Sequence, residues 1–321
     1  MDLLCGVVGL KKLESLEANC LRLLSEVHCI AVDHERVAQV AASLKEHPPG
    51  LPQWESPIFP AAAGPQLDAA VILGNAVNFS YWVSPHHRQW SVQAGDQRLT
   101  GALAVFAAVT AALEDGIDLG DARTLDNYAT AIVDSGDGVL PLAEERIGAL
   151  REIATIVRLQ FAGRLEYAIA AAGDSAPDFA AFLVETFPGF GDSRTWGDTT
   201  LPFAKRAQLA AGMLHCARIA RGEPGLRDAE ALTLYADYML PRTLRHLGIL
   251  TYSPELSARI DGQRPVPSGS KDEVALRIVT VAVGALLRQQ SGQSTLAIDY
   301  WLWTSGFAAE RPYHRTRCTE Y

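Results

Sequence analysis

One carboxylate, Asp237, lies among Tyr235, Tyr238 and Met239 in the stretch Thr233-Leu-Tyr-Ala-Asp-Tyr-Met-Leu-Pro-Arg-Thr-Leu-Arg-His-Leu-Gly248. Pro241 has no backbone N–H and a fixed φ, so it suits the first turn of a helix. Leu240, Leu244 and Leu247 recur at spacings of four and three, which makes one apolar face, and Gly248 supplies a stop. Asp237 is therefore expected where a helix begins. The ordinary role of an Asp there is to cap the free N–H groups. The chemical role is a carboxylate sheltered by rings and aimed into a pocket, where it stabilises a developing cation. The two roles are compatible.

Three further clusters carry polar groups among rings. Asn78-Phe-Ser-Tyr-Trp82 ends an apolar run that starts at Val71. Such a run is ordinarily core, yet Phe79, Tyr81 and Trp82 beside Asn78 would also make a stacking platform with an amide to orient a flat ring. Asp299 is followed by Tyr300, Trp301 and Trp303. Either this segment plugs the core, or Asp299 reads the N–H edge of a heterocycle while a ring stacks on its face. Lys205-Arg206 falls at the start of a helical pattern, where a cation and free N–H groups suit a phosphate; a solvated helix face is the plain alternative. His28 precedes a short apolar run and is either a structural residue or a polar contact. No His, Cys, Asp and Glu set has metal-ligand spacing, so neither a metal nor a cofactor is expected.

The whole chain limits what these residues act on. With 321 residues and 48% apolar content it can bury a large core. The net charge of −9 and pI near 5.4 oppose broad contact with a nucleic-acid backbone, which leaves a small ligand rather than a polymer. Cys5, Cys20, Cys29, Cys216 and Cys318 are odd in number and scattered, as expected of free thiols in a reducing cytoplasm. No apolar run is long enough for a membrane span, and no secretory leader is visible, so a cytoplasmic protein is expected.

Helices must position the site. Helical spacing covers 100–114, 142–161, 178–187, 202–221, 229–235, 241–247, 254–260 and 271–289, and Asp33 caps a further helix to residue 45. Six prolines between residues 47 and 65 make an irregular wrap. Residues 90–99, with Gly95-Asp96 between alternating arms, read as a small hairpin and the only β-structure. The expectation is a mostly α fold, one domain over 1–321, with its helices around a pocket.

With these residues in view, the chain resembles the queuosine salvage family, the queuosine 5′-phosphate N-glycosylase/hydrolases. The likeness rests on the order and spacing of several blocks: Asn78 to Trp82, Leu142-Ala-Glu-Glu-Arg146, Phe187-Pro188, Lys205-Arg-Ala-Gln208, Leu232 to Tyr238 with Pro241 and His246-Leu-Gly248, Glu273 with Arg277, Asp299 with Leu302-Trp303, and Pro312-Tyr-His-Arg-Thr-Arg317. It implies a fold related to helix-hairpin-helix DNA glycosylases and hydrolysis of the N-glycosidic bond of queuosine 5′-monophosphate to release queuine. On this likeness Asp237 is the catalytic carboxylate. Asp299 contacts the base or its diol, Phe79, Tyr235, Tyr300 and Trp303 are walls, Asn78 and His28 are polar contacts, and Lys205 meets the phosphate. Two departures stand out. Lys205 lies 14 residues beyond Gly191 rather than beside the Phe187-Pro-Gly-Phe-Gly191 hairpin, and Thr100-Gly-Ala-Leu lacks the aromatic that relatives tend to carry after the Gly. The implied partners are the nucleotide and the released base, with no nucleic-acid polymer and no membrane, for a monomeric enzyme. A DNA glycosylase acting on a flipped base and a non-catalytic helical binding module are the competing classes.

Overall fold

The computed structural model describes residues 15–84 and 86–321, so Cys5 and the first 14 residues lie outside it. Helices dominate. In chain order, α1 covers residues 15–23, α2 His34–Glu46, α3 Pro65–Ala76, α4 Gly101–Glu114, α5 Ala122–Asp134, α6 Ala143–Gln160 and α7 Leu165–Ala171. Then follow α8 Ala176–Thr186, α9 Lys205–Ala220, α10 Met239–His246, α11 Pro254–Asp261, α12 Lys271–Ser291 and α13 Thr295–Ser305. Side-chain caps start several of them: Asp33 accepts from the Arg36 N–H, Asp121 from Arg123 and Thr124, Ser270 from Glu273, and Ser294 from Ala297.

The hairpin at 90–99 is present as β2 (Ser91–Ala94) and β3 (Gln97–Thr100), but it is not the only β-structure. A second hairpin pairs β4 (Ser193–Trp196) with β5 (Thr199–Pro202), and β1 (Ile30–Val32) pairs antiparallel with β6 (Leu250–Tyr252). The second hairpin turns on Gly197-Asp198, the same pair as Gly95-Asp96, and both glycines take positive φ. Pro202 accordingly ends a strand, and α9 begins three residues later than its helical pattern did. Residues 229–235 are not a helix either. Only Ala229–Ala231 forms a 3₁₀ turn; beyond it the N–H groups of Thr233 and Tyr235 donate to Gln208 Oε1 (2.9 Å) and Asp299 Oδ2 (2.8 Å). Buried side chains thus replace helix bonds and hold the segment extended.

The core has two apolar clusters. One gathers faces of α3 to α6, α8 and α9; the other surrounds α12, which is buried on nearly every side. The extended segment runs between them. Leu234 and Ala236 face the second cluster and Tyr235 the first, so the period of two puts Tyr235 and Asp237 on the same side of the chain. Leu234 also packs so closely on α12 that a Cβ at Gly284 would lie 2.3 Å from its Cγ. Gly284→Ala is expected to cost about 1–3 kcal/mol of stability, read as a lower midpoint in chemical denaturation. Among the described residues no helix is long and apolar enough to cross a membrane.

Candidate active site

Against the first cluster, beside the extended segment, lies a cavity of about 800 Å³, counted out to its open mouth. Asp237, Lys205, Asp299, Tyr235, Tyr300, Trp303 and Asn78 all line it. Asp237 sits one residue outside the formal cap of α10, Tyr238, whose own side chain makes no capping bond. Its Oδ1 accepts the N–H groups of Met239 (2.7 Å) and Leu240 (3.1 Å), and its Oδ2 lies 3.9 Å from Lys205 Nζ. Capping and facing the pocket are therefore done by different oxygens of one carboxylate. Pro241 is third in the helix, within its first turn.

The three ionisable groups are buried and perturb one another. Burial raises the Asp237 carboxyl above the ordinary range, against Lys205 and the two amides, which lower it. Burial likewise depresses the Lys205 ammonium, against the two aspartates. Asp299 is pushed up to about 8 by burial, with the Asp237 charge adding to the rise and the Tyr235 N–H and Lys205 opposing it. One ammonium serves two carboxylates, and burial favours the protonated form of the second.

Aromatic walls complete the pocket. Tyr300 stacks on Trp303 with centroids 6.3 Å apart, and Trp54 meets Tyr300 edge-on at 5.5 Å. Asn78 is oriented by Tyr81, whose hydroxyl donates to Asn78 Oδ1 at 3.0 Å. Leu209, Met213 and Leu296 give the lining an apolar stretch. Gly212 lets Tyr235 approach α9, since a Cβ there would lie 2.0 Å from the Tyr235 hydroxyl.

Phe79, Trp82 and His28 do not line the pocket, and Trp82 instead donates its ring N–H to the Thr316 carbonyl. Phe79 is buried outside the pocket lining, with the guanidinium groups of Arg146 and Arg206 at 4.3 and 5.1 Å from its ring. Arg146 donates to the carbonyls of Val77, Phe79 and Ser80, and this anchors the turn with Phe79 pointing into the core. His28 is exposed beside β1 and does not line the pocket; the β1–β6 pair packs into the second cluster through Ile30, Leu250 and Tyr252, and none of these lines the cavity. Arg206 is also lost to the expected phosphate cradle: its guanidinium donates to the carbonyls of Asn75, Ala76 and Gly189, and the Lys205 N–H is taken by Asp192. Only the Lys205 ammonium faces the pocket.

The structure adds wall residues that the sequence did not assign. Tyr321 lines the cavity, its hydroxyl donating to Glu273 Oε1 at 2.9 Å, and Trp54 lines it too, as does Tyr238, one of the rings expected around Asp237. Ala102, Leu103 and Phe106 of α4 form another wall. A buried carboxylate beside an ammonium at a helix N-terminus, walled by rings, can stabilise a developing positive charge and hold a water against it.

Comparison with known proteins gives this pocket a family. A model of the queuosine salvage protein family matches residues 62–321. A Queuosine 5′-phosphate N-glycosylase/hydrolase of Sphaerobacter thermophilus is 33% identical over 94% of this chain and 95% of its own. Proteins of the same name from Mus musculus (29%, over 91% of this chain and 94% of its own) and Bos taurus (28%, over 78% and 80%) are also similar. A match that takes in Asp237, Lys205 and Asp299 together and spans most of the chain places the protein in the queuosine salvage family.

Proposed function

We infer that the protein hydrolyses the N-glycosidic bond of queuosine 5′-monophosphate and releases queuine. The observation that carries this is the buried Asp237 carboxylate, capped through one oxygen, with the other held 3.9 Å from Lys205 at an aromatic pocket. In this reading the C1′–N bond breaks with its electron pair going to the base, and the sugar becomes oxocarbenium-like. Asp237 stabilises that cation and orients the water that adds to C1′; the water's proton balances the charge on the departing base. Lys205 meets the 5′-phosphate. Asp299 contacts the base, with Tyr300 and Trp303 as walls and Asn78 as a polar contact. Base release assayed on the mononucleotide, on queuosine-containing RNA and on duplex DNA tests the assignment. Release from the mononucleotide supports it, release from polymer alone favours a glycosylase of flipped bases, and no release leaves a binding module.

The Asp299 contact has a proton signature. A carboxyl raised to about 8 is mostly protonated at pH 7, and it must ionise to accept an N–H pair from the base. Binding of free queuine at pH 7 is therefore expected to release about one proton, and affinity should rise with pH up to the free-protein value. Calorimetry in buffers of different ionisation enthalpy counts that proton. Asp299→Asn should abolish the release; an unmodified protein that releases none takes the N–H pair away from Asp299.

A further inference from the structure

We propose that Asp192 and Arg277, neither of which lines the pocket, form a positioning pair that aims Lys205 at Asp237 in the reaction inferred above. Lys205 opens α9 directly after Ala204, which is held at φ 46° and ψ 39°, a left-handed conformation that alanine avoids. Asp192 holds that junction twice. Its main-chain carbonyl accepts the Ala204 N–H at 3.1 Å, and its carboxylate accepts the Lys205 N–H at 2.9 Å.

Arg277 then ties this clamp to the catalytic segment. Its two terminal nitrogens donate to both carboxylate oxygens of Asp192, at 2.7 and 2.5 Å, and its Nε donates to the carbonyl of Ala236 at 3.2 Å. One guanidinium thus fixes the backbone beside Lys205 and the backbone beside Asp237. Both members of the pair are fully buried, so the geometry has little freedom. Glu273 lies 3.7 Å from Arg277 and gives the cluster a second carboxylate. Tyr321, a wall of the pocket, rests on the same guanidinium at 4.8 Å.

The consequence falls on the charge of Asp237. The groups facing it are Lys205 from α9, Arg277 from α12, Asp299 from α13 and the neighbouring Tyr238. The nearest cation is Lys205, so a clamp that loosens and lets the ammonium drift lets the Asp237 carboxyl rise. Asp192→Asn is the informative change, because asparagine keeps an acceptor for the Lys205 N–H but breaks the paired charge with Arg277. Losing a nearby negative charge would by itself lower the Asp237 carboxyl. The positioning role requires the opposite sign.

The test is the pH profile of single-turnover base release for the parent, Asp192→Asn and Ala204→Val, each with its thermal midpoint. Ala204→Val strains the left-handed junction without touching the buried ion pair, so it serves if Asp192→Asn does not fold. The acidic limb is expected to move up by about one pH unit in either folded variant. In a Lys205→Met background Asp192→Asn should move the limb no further. A folded variant with a uniform loss at every pH, or with the limb unmoved or lowered, overturns the positioning role. The carboxyl ¹³C resonance of Asp237 reports the same shift without turnover, and so separates failure of this role from failure of the assigned reaction.

Discussion

Asp237→Asn is expected to give a folded protein that still binds queuine and whose turnover falls by roughly 10²–10³, the usual loss when a group that stabilises transition-state charge is removed. Asparagine presents an oxygen to the same two N–H groups of Met239 and Leu240, so the start of α10 survives. Even complete loss of a cap costs only about 0.5–2 kcal/mol of stability. What asparagine cannot supply is the negative charge beside Lys205. Thermal midpoint, queuine affinity and single-turnover release on one preparation separate the two functions of this carboxylate. A folded variant that cleaves within about threefold of the parent, far short of the electrostatic loss, would leave Asp237 with its capping role alone.

Lys205→Ala should produce the second large effect. Among the described residues lining the cavity Lys205 is the one cation, since Arg146, Arg206 and Arg277 spend their guanidinium groups on carbonyls or on Asp192. A charge-assisted contact to the 5′-phosphate is worth about 1.5–3 kcal/mol. The advantage of nucleotide over nucleoside in kcat/KM should therefore shrink by roughly ten- to a hundred-fold. The same substitution leaves Asp237 and Asp299 without their ammonium. Their carboxyls then rise further, so the remaining activity is confined to higher pH. Equal cleavage of nucleotide and nucleoside by the parent would contradict the phosphate role.

The catalytic segment could be read in the sequence because its signals are local. Pro241, the leucine spacing and Gly248 placed a helix start beside Asp237, and α10 begins at Met239. Two further features are equally local: Gly197-Asp198 repeats the turn of the first hairpin, and Asp121 with Leu125, Ala129 and Ile132 marks α5. The extended run before Asp237 was not legible. Its helical composition is overridden by Gln208 and Asp299, which come from 25 and 64 residues away. For the same reason the sequence could not separate Asn78, which lines the pocket, from Phe79, which Arg146 draws into the core. Trp54 and Tyr321 reach the cavity only through long-range packing, and no spacing rule announces them.

Product analysis of queuosine 5′-monophosphate incubated with the protein, by mass spectrometry, tests the central claim most directly. Cleavage of the C1′–N bond yields free queuine and ribose 5-phosphate in equal amounts, with the phosphate ester intact. Recovery of unchanged nucleotide, or of dephosphorylated queuosine with its glycosidic bond whole, would contradict it.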